Sequence, residues 1–229
     1  MRKAALASAI VVAVLLVAGW FADGVLRRAA EESAASALQS SLGLPQKPDV
    51  AIDGFPFALS LLTRSVPGAH ASAGRVPLTV SGHDLQLTGV RVRTGEISLL
   101  GNTAQVTRAD ATGVLDYGGL AALAGLPVSY AGEGRLKVVY TTQLAGQQVS
   151  FGVTAVPVLD AERATIRLTG PKLDPGNPPP VPVPAAELSR LARPIPVRLP
   201  GGARLTALTP SEGGVAIAAS VTGLSFPVR

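Results

Sequence analysis

Cysteine is absent from this 229-residue chain, which excludes a disulfide framework, thiolate metal sites and a cysteine nucleophile. Its absence does not fix the redox compartment, because an exported domain of this size folds without disulfides. Aromatic residues are scarce as well: one Trp, three Tyr and five Phe leave little with which to stack bases. Charged residues reach only 15%, and 20 Lys+Arg against 15 Asp+Glu give a diffuse net charge of +5. No nucleic-acid partner is expected from such a balance. Low charge combined with 47% hydrophobic residues also argues against disorder. The length suits one ordinary domain or two small ones, with enough chain to bury a core.

Reactive machinery is equally thin. The two histidines are His70, in a run of small residues, and His83, in a turn beside Asp84. A serine triad needs a nucleophile on a strained turn, and no G-x-S-x-G elbow is present. Neighbouring strand residues point to opposite faces, so the adjacency of His83 and Asp84 builds nothing. Metal-ligand spacings of the H-x-x-x-H or D-x-D-x-D-G kind are missing, as are phosphate-cradling glycine loops. The expectation is a protein that is not an enzyme, with no metal and no cofactor.

What is present begins at the N-terminus. Ala4 to Ala22 form a 19-residue apolar stretch interrupted by nothing more polar than Ser8. At about 1.5 Å per residue, such a helix nearly spans a hydrocarbon core of roughly 30 Å. Arg2 and Lys3 precede it, and Trp20 and Phe21 stand at its far end, where rings favour the headgroup interface. Residues 1–23 therefore read as one N-terminal transmembrane helix or as a cleaved signal segment. Both readings put residues 24–229 outside the cytoplasm. The retained version is a single-pass protein of the cytoplasmic membrane, N-terminus inside, with its domain on the periplasmic side.

From Arg27 to Leu42 an Ala-rich helical pattern runs to Gly43, a natural C-terminal cap, with Pro45 beyond it. The texture then changes to alternation, the strand signal. Leu78 and Val80, Leu85 and Leu87, and Val90 and Val92 each alternate with polar neighbours. So do Leu136, Val138 and Tyr140; Val149, Phe151 and Val153; Ile166 and Leu168; and Val215, Ile217 and Ala219. Gly213-Gly214 reads as a hairpin turn. Short helices are expected over Phe57–Arg64, with Phe57, Leu61 and Leu62 on one side, over Tyr117–Ala124, and over Ala185–Ala192. Residues 171–184 hold seven prolines and read as a proline-rich surface strap. The class is α+β, with a mostly antiparallel sheet that has one apolar and one solvated face.

Two readings of that apolar face stand. In one it is closed by a second sheet or by helices and forms an ordinary core. In the other it stays partly open as a groove for lipid chains. Moving a roughly sixteen-carbon chain from water into such a groove gains about 13 kcal/mol, whereas moving it from a bilayer gains almost nothing. A groove protein can thus exchange lipid with a membrane without an energy source. Candidates to line it are Phe55, Phe57, Leu61, Leu62, Leu78, Val80, Leu85, Leu87, Val90, Val92, Leu136, Val138, Val149, Phe151, Val153, Ile166 and Leu168. Arg75, Arg91 and Arg93 are candidates to meet a phosphate, whose geometry a guanidinium matches.

The segment Asp49-Val50-Ala51-Ile52-Asp53-Gly54-Phe55-Pro56-Phe57, followed by Leu61-Leu62, resembles the signature of the LmeA-like phospholipid-binding family of bacterial envelope proteins. The likeness continues near the end, where Ile195-Pro196 precedes Leu205 to Leu208 and a hairpin into Val215 to Val221. The resemblance implies a tubular lipid-binding type of fold, a long curved sheet wrapped around helix. It implies phospholipid ligands, particularly phosphatidylinositol and its mannosides, and a role in elongating lipomannan or moving lipid intermediates. An alternative is an adaptor that binds no lipid and positions a glycosyltransferase or other cell-envelope complex. Within the motif, Gly54 permits a turn closed to other residues, and Phe55-Pro56 stops the strand before a helix. Gly54 and Pro56 are accordingly read as structural, with Phe55 and Phe57 pointing to different sides.

Overall fold

The structure, a computed structural model, describes residues 23–80, 82–144, 147–178, 194–197, 199 and 202–227. The apolar stretch 4–22, the expected helix Ala185–Ala192 and residues 179–184 of the proline-rich segment lie outside the described residues. Among the described residues no helix is long and apolar enough to cross a membrane. The architecture is α+β and mostly antiparallel sheet. Alternation does not reveal where one sheet stops and another starts, and the strands divide between an eight-stranded and a five-stranded sheet. By contacts the chain separates into two units. One comprises residues 1–72, 93–109 and 223–229, the other 73–92 and 110–222.

The first unit opens with α1 (23–42), which is Ala-rich and therefore a strong helix former. Gly43 ends it at φ +59°, and the Leu44 N–H donates to the Gln39 carbonyl at 3.0 Å. This left-handed cap leaves Leu44 buried against the helix end. Glu31 Oε1 accepts from the Ile52 N–H at 3.0 Å and so fastens α1 to β1 (Asp49–Ile52). Next come α2 (Phe57–Thr63) and β2 (Ser65–Val66), which pairs with β5 (Ile97–Leu100). β1 pairs with β3 (Ala69–Val80), from Asp49 opposite Ser72 to Ile52 opposite Ala69. β5 returns through Gly101 and Asn102 into β6 (Thr103–Leu115).

β4 (His83–Thr94) joins two runs that alternate in opposite phase. Leu85 and Leu87 turn inward at odd positions, Val90 and Val92 at even ones. The phase changes at Gly89, held at φ +59°, the backbone state of a glycine bulge.

In the second unit, α3 (Tyr117–Ala124) has the bounds its sequence predicts. Asp116 Oδ1 accepts from the Gly119 N–H at 2.6 Å, and Gly125 closes the helix at φ +66°. The five-stranded sheet is a meander of β7 (Val128–Tyr130), β8 (Leu136–Leu144), β9 (Gln147–Asp160), β10 (Thr165–Leu173) and β11 (Ile195–Pro196). The proline-rich segment thus begins inside a strand. Pro171 fits there because the β9–β10 register shifts between Thr169 and Lys172, beside Gly170 at φ +56°. β12 (Arg204–Ser211) and β13 (Gly214–Pro227) form a hairpin with Ser211 opposite Gly214, so its turn is Glu212-Gly213 and Gly214 already belongs to the strand.

Candidate functional site

Two features gather the residues singled out from the sequence. The first is one face of the five-stranded sheet. The register sets Leu136 opposite Ala155, Val138 opposite Val153, Tyr140 opposite Phe151 and Thr142 opposite Val149. Across the next ladder Ile166 stands opposite Leu159, and Leu168 opposite Pro157. A two-residue period then places Leu136, Val138, Val149, Phe151, Val153, Ile166 and Leu168 on a single apolar face. The seven candidates of this sheet are therefore brought together. Val149, Phe151 and Val153 form its buried centre, with Tyr140 against them and the Tyr140 and Phe151 rings stacked 6.3 Å apart. Leu136 and Val138 are buried too, while Ile166 and Leu168 are partly so.

The opposite face is mixed, with Val139, Val156 and exposed Val158 among polar groups, and it is strapped. Thr141 and Ser150 hydroxyls lie 2.8 Å apart. Lys137 pairs with Asp174, whose own N–H donates to the Gly152 carbonyl at 2.8 Å. That ammonium, and behind it the Gly176 N–H, hold the Asp174 carboxyl below the usual aspartate range. Asp160 is likewise lowered, by the backbone N–H and then the guanidinium of Arg163 at 3.0 and 2.9 Å.

The second feature is the corner Gly54–Thr63, in the other unit. Gly54 has φ +106°, and a Cβ there would stand 3.0 Å from the Pro67 ring; the Phe55–Pro56 peptide is cis. Phe57, 3% exposed, and Ser60 point inward from α2. Leu59 is 54% exposed, Leu62 82% and Phe55 63%. Phe57 and Leu62 thus lie on different sides of the helix, not on the shared side the sequence suggests. Seven residues give too short a pattern to orient a helix, and the inward position goes to a serine. Asp23, itself buried, reaches across to α2: its Oδ1 accepts from the Ala58 N–H at 2.7 Å.

The remaining candidates are dispersed. Leu85 is buried, and Leu78, Leu87, Val90 and Val92 are partly buried on β3 and β4. Leu61 and Val80 have described backbone in α2 and β3, but their side chains lie outside the described ones. Arg75, Arg91 and Arg93 are exposed on those two strands. His70 Nδ1 stands 3.4 Å from Asp53 Oδ2, both half-exposed. Among the described residues, one open cleft of about 410 Å³ is lined by Val158, Leu159, Asp160, Ala161, Arg167 and Thr169. Another, of about 280 Å³, is lined by Arg28, Glu31, Glu32, Ala35, Lys47, Pro48, Asp49 and Val50. Neither cleft contains a groove candidate. The apolar face is covered by the protein itself.

Sequence reasoning missed Asp23 and Leu59. No local pattern announces a cap donated from 35 residues away. The signal for Leu59 was available, since Leu59 and Leu62 are three apart and share a helix face.

The sequence model of the LmeA family, described as LmeA-like phospholipid-binding, matches residues 21–220. The chain belongs to the LmeA-like phospholipid-binding family. No curated protein and no solved structure gives a match. The family match runs through both features: the Gly54–Phe57 corner and the whole β7–β11 sheet fall inside it.

Proposed function

We propose that this LmeA-like chain is a non-enzymatic phospholipid-binding protein that works on the outer side of the cytoplasmic membrane, held there by residues 1–23. The acyl chains lie against the apolar face of β8, β9 and β10, and the headgroup meets an exposed arginine of the same unit, Arg75 or Arg91. The observation that carries this reading is the register that aligns seven separately predicted apolar residues on one face. Five of those side chains are buried and Ile166 and Leu168 partly so, and a lipid enters by replacing apolar contacts with apolar contacts. The net cost of that exchange is small, because neither partner gives up hydrogen bonds. The covering elements separate to admit the lipid.

Such a protein presents or moves lipids of the phosphatidylinositol class and supports the elongation of their mannosides into lipomannan, beside the glycosyltransferases that do the chemistry. The tubular arrangement of sheet around helix implied by the resemblance is part of this proposal. The test is purification of the full chain from its own membrane, followed by lipid extraction and mass spectrometry. Stoichiometric phospholipid, enriched in phosphatidylinositol species, is the expected result. A lipid-free protein that takes up no phospholipid from vesicles overturns the reading and supports the envelope adaptor.

A further inference from the structure

Helix α2 is amphipathic in the wrong sense for water. It turns a serine and one phenylalanine inward, and it leaves Leu59 and Leu62 outside, with Phe55 exposed just before it. Exposed single hydrophobes are ordinary; three large ones within eight residues of one corner are not. The chain itself says what covers them. The 19-residue apolar stretch Ala4–Ala22 is followed immediately by Asp23, and the Asp23 carboxylate is bonded to the Ala58 N–H in the first turn of α2. Val25 and Leu26, within one turn of that joint on α1, are exposed as well. Any bilayer that holds residues 4–22 therefore has the α2 corner at its surface.

Charge fits the same occupant. Exposed Arg28 and Arg64 flank the joint, one on α1 and one directly after α2. Of the nearby acids, Glu31 accepts from the Ile52 N–H, Glu96 accepts from the Ser65 hydroxyl at 2.7 Å, Glu32 pairs with Lys47, and the half-exposed Asp53 stands beside His70. Cations around an apolar tip match a bilayer with anionic headgroups.

We propose that the Phe55–Leu62 corner is a bilayer contact, with Phe55, Leu59 and Leu62 seated at the boundary between headgroups and acyl chains beside the segment 4–22. This rests on the anchor assigned above to residues 1–23, but not on where lipid binds within the domain. The contact fixes α2 at the membrane surface, so that the domain meets its lipid source at a defined place.

The absence of cysteine permits single labels at chosen sites. The full chain, reconstituted in vesicles of phosphatidylcholine and phosphatidylglycerol, carries an environment-sensitive dye on Leu62→Cys, on Phe55→Cys or, as a depth marker, on Ala13→Cys. Nitroxide-bearing phosphatidylcholine is the quencher. The expected result is blue-shifted emission and at least about twofold quenching at Leu62 and Phe55. That quenching at Phe55 is lost in the Leu59→Glu/Leu62→Glu background, whose substitutions are exposed and leave the fold intact. A quenched Ala13 label with unquenched Leu62 and Phe55 labels overturns the contact and leaves the anchor standing. A chain that does not float with the vesicles at all overturns both.

Discussion

Asp23 Oδ1 accepts a 2.7 Å hydrogen bond from the Ala58 N–H, so the first described residue of α1 satisfies an amide in the first turn of α2. Helix α2 is too short to be stable by propensity and depends on such ties. Asp23→Ala is expected to lower the Tm and to speed hydrogen exchange at Ala58 well above its rate in the parent chain. Asp23→Asn keeps an acceptor oxygen and should retain most of the protection. Equal exchange in all three proteins would sink the assignment.

Phe151 is buried between Val149 and Val153 and stacks on Tyr140. Truncation to alanine removes a full aromatic contact and leaves a cavity, at a cost of about 3–5 kcal/mol. Val158→Ala, on the exposed face of the same strand, should stay within about 0.5 kcal/mol of the parent. Urea unfolding of lipid-stripped protein checks both. If Phe151→Ala costs under about 1 kcal/mol, the face is not a packed core in the lipid-free state.

Much of this arrangement could be read from the chain because it is local. The alternation of Leu136, Val138 and Tyr140 against that of Val149, Phe151 and Val153 needs only a hairpin to align it, and the register obliges. Tyr117–Ala124 is bounded by an acceptor side chain at Asp116 and a left-handed glycine at 125, both visible as residue types. β4 was harder, since Gly89 reverses the phase and makes one strand look like two. The orientation of α2 was hard to read because seven residues carry little periodicity, although the three-residue spacing of Leu59 and Leu62 was there to be seen. Pairs such as Lys137 with Asp174 meet only through the path of the chain, and no residue pattern foretells them.

The Lys137–Asp174 pair makes stability depend on pH with a definite sign. The carboxyl is held below its ordinary value of 3.8, so the folded state favours the ionised form. Its contribution is complete above the unfolded value and disappears as pH falls through the folded one. Asp174→Asn should therefore be less stable than the parent at neutral pH, and the gap should close as the pH drops below about 4. Urea midpoints measured at both pH values decide it. A gap that persists unchanged in acid would assign the effect to the Gly176 turn and not to the charge.

Gly214 separates the effect of backbone conformation from that of space. It sits at φ +134°, and a Cβ there would come within 2.5 Å of the Leu115 carbonyl oxygen and 2.8 Å of the Val114 side chain. Gly101 has φ +60° in the β5–β6 turn, with nothing within 4 Å of the same added atom. Gly101→Ala is thus charged only for the left-handed backbone, about 1 kcal/mol. Gly214→Ala adds a collision with main chain that cannot rotate away, and about 3 kcal/mol or more is expected. Chemical denaturation of the two variants should rank them in that order. If the two losses were equal, the close approach of β13 to the end of β6 could not be as tight as the structure has it.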